Sequence, residues 1–128
     1  MQPTCEVPDL QTIEPIMLAV VRIFTFEQER RLTNATGFLF ETDRGLFLVT
    51  SRHVMRDAPS KHFPDRIEIE LHTDSDNLAE WTGFSIPLSR ARKSIWRQGE
   101  DAAGDIDVAV IEIEREALPE TALYRVFT

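Results

Sequence analysis

Three histidines, His53, His62 and His72, are the side chains of this sequence best suited to proton transfer near neutral pH. Their spacing matches no zinc pattern and the one cysteine, Cys5, is remote from them, so neither a metal site nor a cofactor is expected. His62 falls between Pro59 and Pro64 in a loop, and His72 falls on the polar side of an alternating run; both are expected at the surface. His53 follows directly on an apolar run, in Leu48-Val49-Thr50-Ser51-Arg52-His53-Val54. A histidine at the end of a buried strand is held by rigid backbone yet reaches solvent, which suits a general base. The same placement suits a histidine that ends a strand by bonding a backbone carbonyl. Asp107 heads a second apolar run, Asp107-Val108-Ala109-Val110-Ile111. An ionised carboxylate at that boundary needs donors, and an imidazole N–H is one. It equally suits a turn, since Gly104-Asp105 is turn-like. Taken singly, the plainer structural role is the simpler account of each residue.

The elements that would position these residues are short strands. Residues 16–26 are rich in β-branched and aromatic types and predict strand one, followed by a polar loop over 27–34. Residues 36–40 and 46–50 predict a hairpin whose turn, 42–45, ends on Gly45, free to take positive φ. Ser51 is placed to cap a short helical turn through His53. After a loop over 58–64, Ile67, Ile69 and Leu71 alternate with Glu68, Glu70 and His72, the period of a strand with one buried face. A polar turn over 73–77 leads to a fifth strand at 81–88, where Gly83 predicts a bulge or bend. Residues 89–104 form a long connection, and 107–114 the sixth strand, with Ala109, Ile111 and Ile113 on one side. No internal repeat and no long amphipathic helix is present. Six strands with turns between them predict an all-β protein, an antiparallel barrel closed to protect its edges. The domain spans 16–116, after a proline-bearing arm (1–15) and before a tail or linker (117–128).

Composition narrows the function classes. A chain of 128 residues with 42% hydrophobic and 28% charged residues has the profile of one globular domain. Its 14 Lys and Arg against 22 Asp and Glu give a formal charge of -8, which repels phosphate backbones. The densest basic stretch, Arg90, Arg92, Lys93 and Arg97, is short and reads as a solvated loop, so no nucleic-acid partner is expected. The apolar run at 16–24 is too short to span a bilayer, so no membrane partner is expected. One cysteine excludes an internal disulfide, and no basic stretch leads into an apolar run at the start; both fit a cytoplasmic location. Asn34-Ala35-Thr36 is then a glycosylation sequon by pattern only.

Considered together, the segments carry a resemblance. The chain resembles the trypsin-like serine peptidases of the two-barrel fold, and among them is similar to the bacterial high-temperature-requirement proteases. In that family a strand reading G-S/T-G-F precedes one ending L-V-T-x-x-H-V, and D-L-A-V-L follows later. Here these are Ala35-Thr36-Gly37-Phe38-Leu39, Leu48 to Val54 as quoted above, and Asp107-Val108-Ala109-Val110-Ile111. The order His then Asp and the separation of 54 residues also agree. The resemblance implies a six-stranded Greek-key barrel, the first of the two. It implies His53 as general base and Asp107 as the group that holds its ring, with Asp105 as the fallback should the register differ by two.

The nucleophile is missing. The family carries it in a G-x-S-G-G-like segment of the second barrel, and Gly83-Phe84-Ser85-Ile86-Pro87, the nearest glycine context here, lacks the later glycine. The backbone donors for an oxyanion belong to the same absent segment. The expectation is therefore the N-terminal half of a serine endopeptidase, a fragment or one half of a split protein, inactive alone and acting on peptide or protein substrates with its second barrel. The face that meets that barrel should carry exposed apolar side chains and allow self-association. The alternatives are a non-catalytic β-barrel module that binds partners, and a small β domain of unrelated function.

Overall fold

The structure is a computed structural model that describes residues 19–74, 76, 79–102 and 104–128. The arm at 1–15, the first residues of strand one, Cys5 and part of the 73–77 turn lie outside the described residues. The chain is all-β. Its elements are β1 (Val20–Glu27), β2 (Arg30–Thr42), β3 (Gly45–Thr50), α1 (Arg52–Met55), β4 (Arg66–His72), β5 (Trp81–Pro87), β6 (Ser89–Arg90), β7 (Lys93–Ser94), β8 (Trp96–Asp101) and β9 (Gly104–Ile113). Seven strands form one antiparallel sheet in the order β5-β4-β1-β2-β3-β9-β8, and β6 and β7 make a separate small hairpin.

Side-chain alternation builds the core. Ile67, Ile69 and Leu71 of β4 are buried, as are Leu46 and Leu48 of β3 and Ala109, Ile111 and Ile113 of β9. These are the faces that the period of two predicts. One cluster joins them to Val21 and Ile23 of β1, Leu39 of β2, Ile86 of β5 and Val54 and Met55 of α1. Residues from both ends of the sheet share this cluster, so the sheet curls around a single core. Each fully buried aliphatic side chain contributes about 1.5–3 kcal/mol of transfer free energy.

Four features differ from the sequence expectation. The sheet does not close as a six-stranded barrel: β5 and β8 are its edges, and β5 meets the end of β9 only across a cleft shared by Phe84, Ile86 and Ile113. A seventh strand, β8, comes from the long connection over 89–104, where the sequence predicts no strand. Its sequence, Trp96-Arg97-Gln98-Gly99-Glu100-Asp101, lacks alternation, and pairing with β9 holds it, with an irregularity at Gln98/Glu100. The polar stretch expected as a loop over 27–34 is instead a tight turn at Gln28-Glu29 followed by the start of β2, which pairs with β1 back to Glu27↔Arg30. Its polarity is explained locally: the Arg31 guanidinium lies 4.1 Å over the Phe24 ring, and the Thr25 hydroxyl, buried, bonds the Thr33 hydroxyl at 2.7 Å and accepts the Thr33 N–H at 3.0 Å. Gly83 makes no bulge, since the β4–β5 register runs through it unbroken. Gly45 does take a positive φ, 145°, at the predicted turn.

After β9 the chain makes a 3-10 turn (Arg115–Ala117) and returns along the sheet. Leu123 donates its N–H to the His72 carbonyl at 2.7 Å. Phe127 donates to the Leu39 carbonyl and accepts from the Glu41 N–H, both at 2.8 Å. It occupies the side of β2 beyond the first β1 pair, Val20↔Phe38. No helix among the described residues is long and apolar enough to cross a membrane.

Candidate active site

The β3–β9 ladder brings the predicted pair together. Its register runs from Leu46↔Ile113 to Thr50↔Ala109, and continuing it two residues sets Asp107 opposite Arg52, beside His53. Thr50, buried, anchors the end of β3 by donating its hydroxyl to the Thr36 carbonyl at 2.8 Å. Ser51 then breaks the strand with extended backbone angles and starts α1, although its hydroxyl makes no capping bond. Burial of Val54 and Met55 leaves His53 on the open side of this turn.

Asp107 holds His53 at two points. Its Oδ1 accepts the His53 backbone N–H at 3.0 Å, and its Oδ2 lies 2.8 Å from His53 Nδ1. Arg52 adds a looser contact, Nε to Oδ1 at 4.0 Å. The ring contact first, then the backbone N–H, holds the Asp107 carboxyl below its ordinary value of 3.8, with smaller help from the His53 and Arg52 charges and a small opposing effect of desolvation. Asp107 is therefore ionised near neutrality and can only accept. The 2.8 Å contact then requires the proton on Nδ1, which leaves the Nε2 lone pair of a neutral ring free to take a proton. Both side chains are about half exposed, at 57% and 51%. Among the described residues no hydroxyl is hydrogen-bonded to the His53 ring. The side chain of Asp105, the fallback carboxylate, lies outside the described residues.

This coupling has a pH signature. Asp107 has a depressed pKa in the folded state, so the unfolded chain binds more protons as the solution is acidified. The stability it contributes is present above the ordinary carboxylate value and is lost as pH falls through the folded one. Because the carboxylate is half exposed, water screens the pair and the contribution is modest. Asp107→Asn is therefore expected to lose less thermal stability than the parent on acidification below about pH 5. Parallel melting curves of the two proteins over that range check it, and identical acid dependence would refute it.

The other two histidines sit differently from expectation. His62 is half-buried, with Nε2 at 2.9 Å from the Val54 carbonyl, so it ties its loop to α1. His72 is half-buried rather than at the surface, and its Nδ1 is buried without a hydrogen-bond partner among the described residues.

Two hollows flank the pair. One, of about 580 Å³, runs from His53 between the β1–β2 hairpin (Glu27, Arg30, Arg31) and the loop carrying Asp57, Ser60, Lys61 and Phe63. The sequence reading missed it, because its walls come from a hairpin read as a loop and from a segment without periodicity. The other, of about 480 Å³, has Asp107 at its margin and apolar walls of Val20, Phe38, Val49 and Val108. The ladders set Val20, Phe38, Val49 and Val110 in one cross-strand row. Val20 and Phe38 are 41% and 36% exposed, apolar side chains on the face turned away from the core, and the Phe38 ring packs edge-on against Phe127 at 5.5 Å. Comparison of the chain with models of protein families, with curated proteins and with solved structures finds no match.

Proposed function

We propose that this chain is the base-bearing half of a trypsin-like serine endopeptidase. The observation that carries the reading is the two-point hold of Asp107 on His53, which fixes both the ring orientation and the tautomer. In this reading His53 Nε2 removes the proton from a serine hydroxyl as it attacks the scissile carbonyl. The imidazolium that forms is stabilised by the Asp107 carboxylate and then returns the proton to the leaving amine. The serine and the oxyanion donors come from a second barrel outside these 128 residues, seated on the apolar row of Val20, Phe38, Val49 and Val110. Strand order also supports the reading: β4-β1-β2-β3 is the order of a Greek key.

Alone, the chain is expected to hydrolyse no peptide. The protein purified from its native source should cleave an unfolded protein substrate with a rate that rises with pH to a plateau, as one base loses its proton. His53→Ala should abolish that limb and the activity with it. Activity that survives His53→Ala would overturn the reading. Complete inactivity of the native protein would favour the partner-binding module instead.

A further inference from the structure

The cleft beside His53 carries charge that its own residues do not neutralise. Glu27 is engaged by Arg30 at 2.8 Å, and Asp57 Oδ2 accepts the Ser60 hydroxyl at 2.6 Å. The Ser60 hydroxyl is neutral and leaves the Asp57 charge in place, but Arg31 on the hairpin wall and Lys61 on the loop wall form no ion pair among the described residues, and the cations of the cleft outnumber its carboxylates by one. In a chain of formal charge -8 this is a local exception. Stacking on Phe24 orients the Arg31 guanidinium without consuming its N–H donors.

Lys61 is held in an unfavourable conformation. Its φ is +57°, in the left-handed region where glycine or asparagine is the ordinary occupant. The loop around it is tightly closed: Asp57 and His62 exchange both backbone hydrogen bonds at 2.9 Å, and Lys61 N–H donates to the Ala58 carbonyl at 3.0 Å. A lysine at such a position strains the backbone, and its ammonium forms no ion pair among the described residues. The His62 bond to the Val54 carbonyl then fixes this loop, and the Lys61 backbone with it, relative to the helix that carries His53. At the same wall Phe63 is 44% exposed, with the Arg56 guanidinium 5.3 Å from its ring centroid, so its apolar surface is shared with a further cation.

We infer that this cleft selects polypeptide substrates with an acidic side chain close to the bond presented to His53, its carboxylate received between Arg31 and Lys61 and an apolar neighbour resting on Phe63. The inference rests on the proposed peptidase reading for its substrate class. Two exposed ion pairs favour a carboxylate over its amide by about three- to tenfold at low salt. At about 1 M salt, where the screening length is about 3 Å, the preference should shrink.

The test is binding to the 128-residue chain, followed by amide chemical shifts. The ligands are short blocked peptides that differ only in carrying Glu, Gln or Lys at one position. The Glu peptide is expected to bind tightest and to shift residues of β2 and of the loop around Lys61. Arg31→Gln and Lys61→Gly should each reduce the preference of Glu over Gln, and together remove it. Lys61→Gly should also melt at or above the parent temperature, since it relieves the positive φ. Equal binding of the Glu and Gln peptides, no binding of any of them, or a preference that survives both substitutions would overturn the inference. His53→Ala is expected to leave the Glu preference intact. Failure of the catalytic reading is thus read from activity, and failure of this one from binding.

Discussion

If the chain is half of a serine peptidase as proposed, Asp107→Asn is expected to lower kcat of the whole enzyme by about ten-thousandfold while leaving its fold and KM nearly unchanged. Each carboxylate oxygen of Asp107 has its own partner. The His53 backbone N–H, a donor that cannot change, lies on Oδ1. In the variant the asparagine carbonyl must keep that bond, which turns the amide NH2 toward Nδ1. Nδ1 then becomes an acceptor, the ring proton moves to Nε2, and the lone pair needed for proton removal faces the wrong way. Long-range proton–nitrogen spectra of the 128-residue chain provide an independent check: Nδ1 of His53 protonated in the parent, Nε2 in the variant. A parent ring protonated on Nε2, or a variant with near-parental kcat, would show that Asp107 does not set the tautomer.

The second large effect is structural. Gly37→Val is expected to reduce the unfolding free energy by about 3 kcal/mol or more, a large share of a total that is about 5–15 kcal/mol for such domains. A Cβ at Gly37 would stand 2.7 Å from the Val49 carbonyl oxygen, 2.9 Å from Ile23 Cδ1 and 3.2 Å from Leu48 Cδ1. Ile23 and Leu48 are fully buried, and the Val49 oxygen belongs to the β3 backbone, so none can yield cheaply. Relief requires β3 to move, and β3 leads directly into the turn that presents His53 to Asp107. Urea unfolding of Gly37→Val against the parent measures the loss. An unchanged midpoint would mean that β2 and β3 are less closely set than described. Gly37→Ala should show a smaller loss of the same sign.

Much of the frame was legible because the hydrophobic pattern is local. Ile67, Ile69 and Leu71 announced the buried face of β4, and Ala109, Ile111 and Ile113 that of β9. Leu46 and Leu48, after the turn at Gly45, announced β3. Alternation says which residues face a core but not which strands pair. Hence β8, held by β9 rather than by its own pattern, was missed, and a closed barrel was expected where β5 and β8 remain as edges. The first residues of β2 were missed for a related reason: polar side chains there are stabilised by Thr25 and Phe24, contacts that only the folded hairpin supplies. His53 and Asp107 were legible as types at strand ends. Their hydrogen bonds depend on the β3–β9 register, which joins segments far apart in sequence. The charged cleft, with Lys61 at positive φ and His62 bonded to Val54, depends on loop conformation and left no periodic trace.

The central claim is that His53, held by Asp107, activates a serine. It is tested most directly by treating the native protein with a fluorophosphonate probe specific for activated serines, with and without His53→Ala. Stoichiometric labelling of one serine outside these 128 residues is expected in the parent and none in the variant. Equal labelling of the two proteins, or no labelling of the parent, would contradict it.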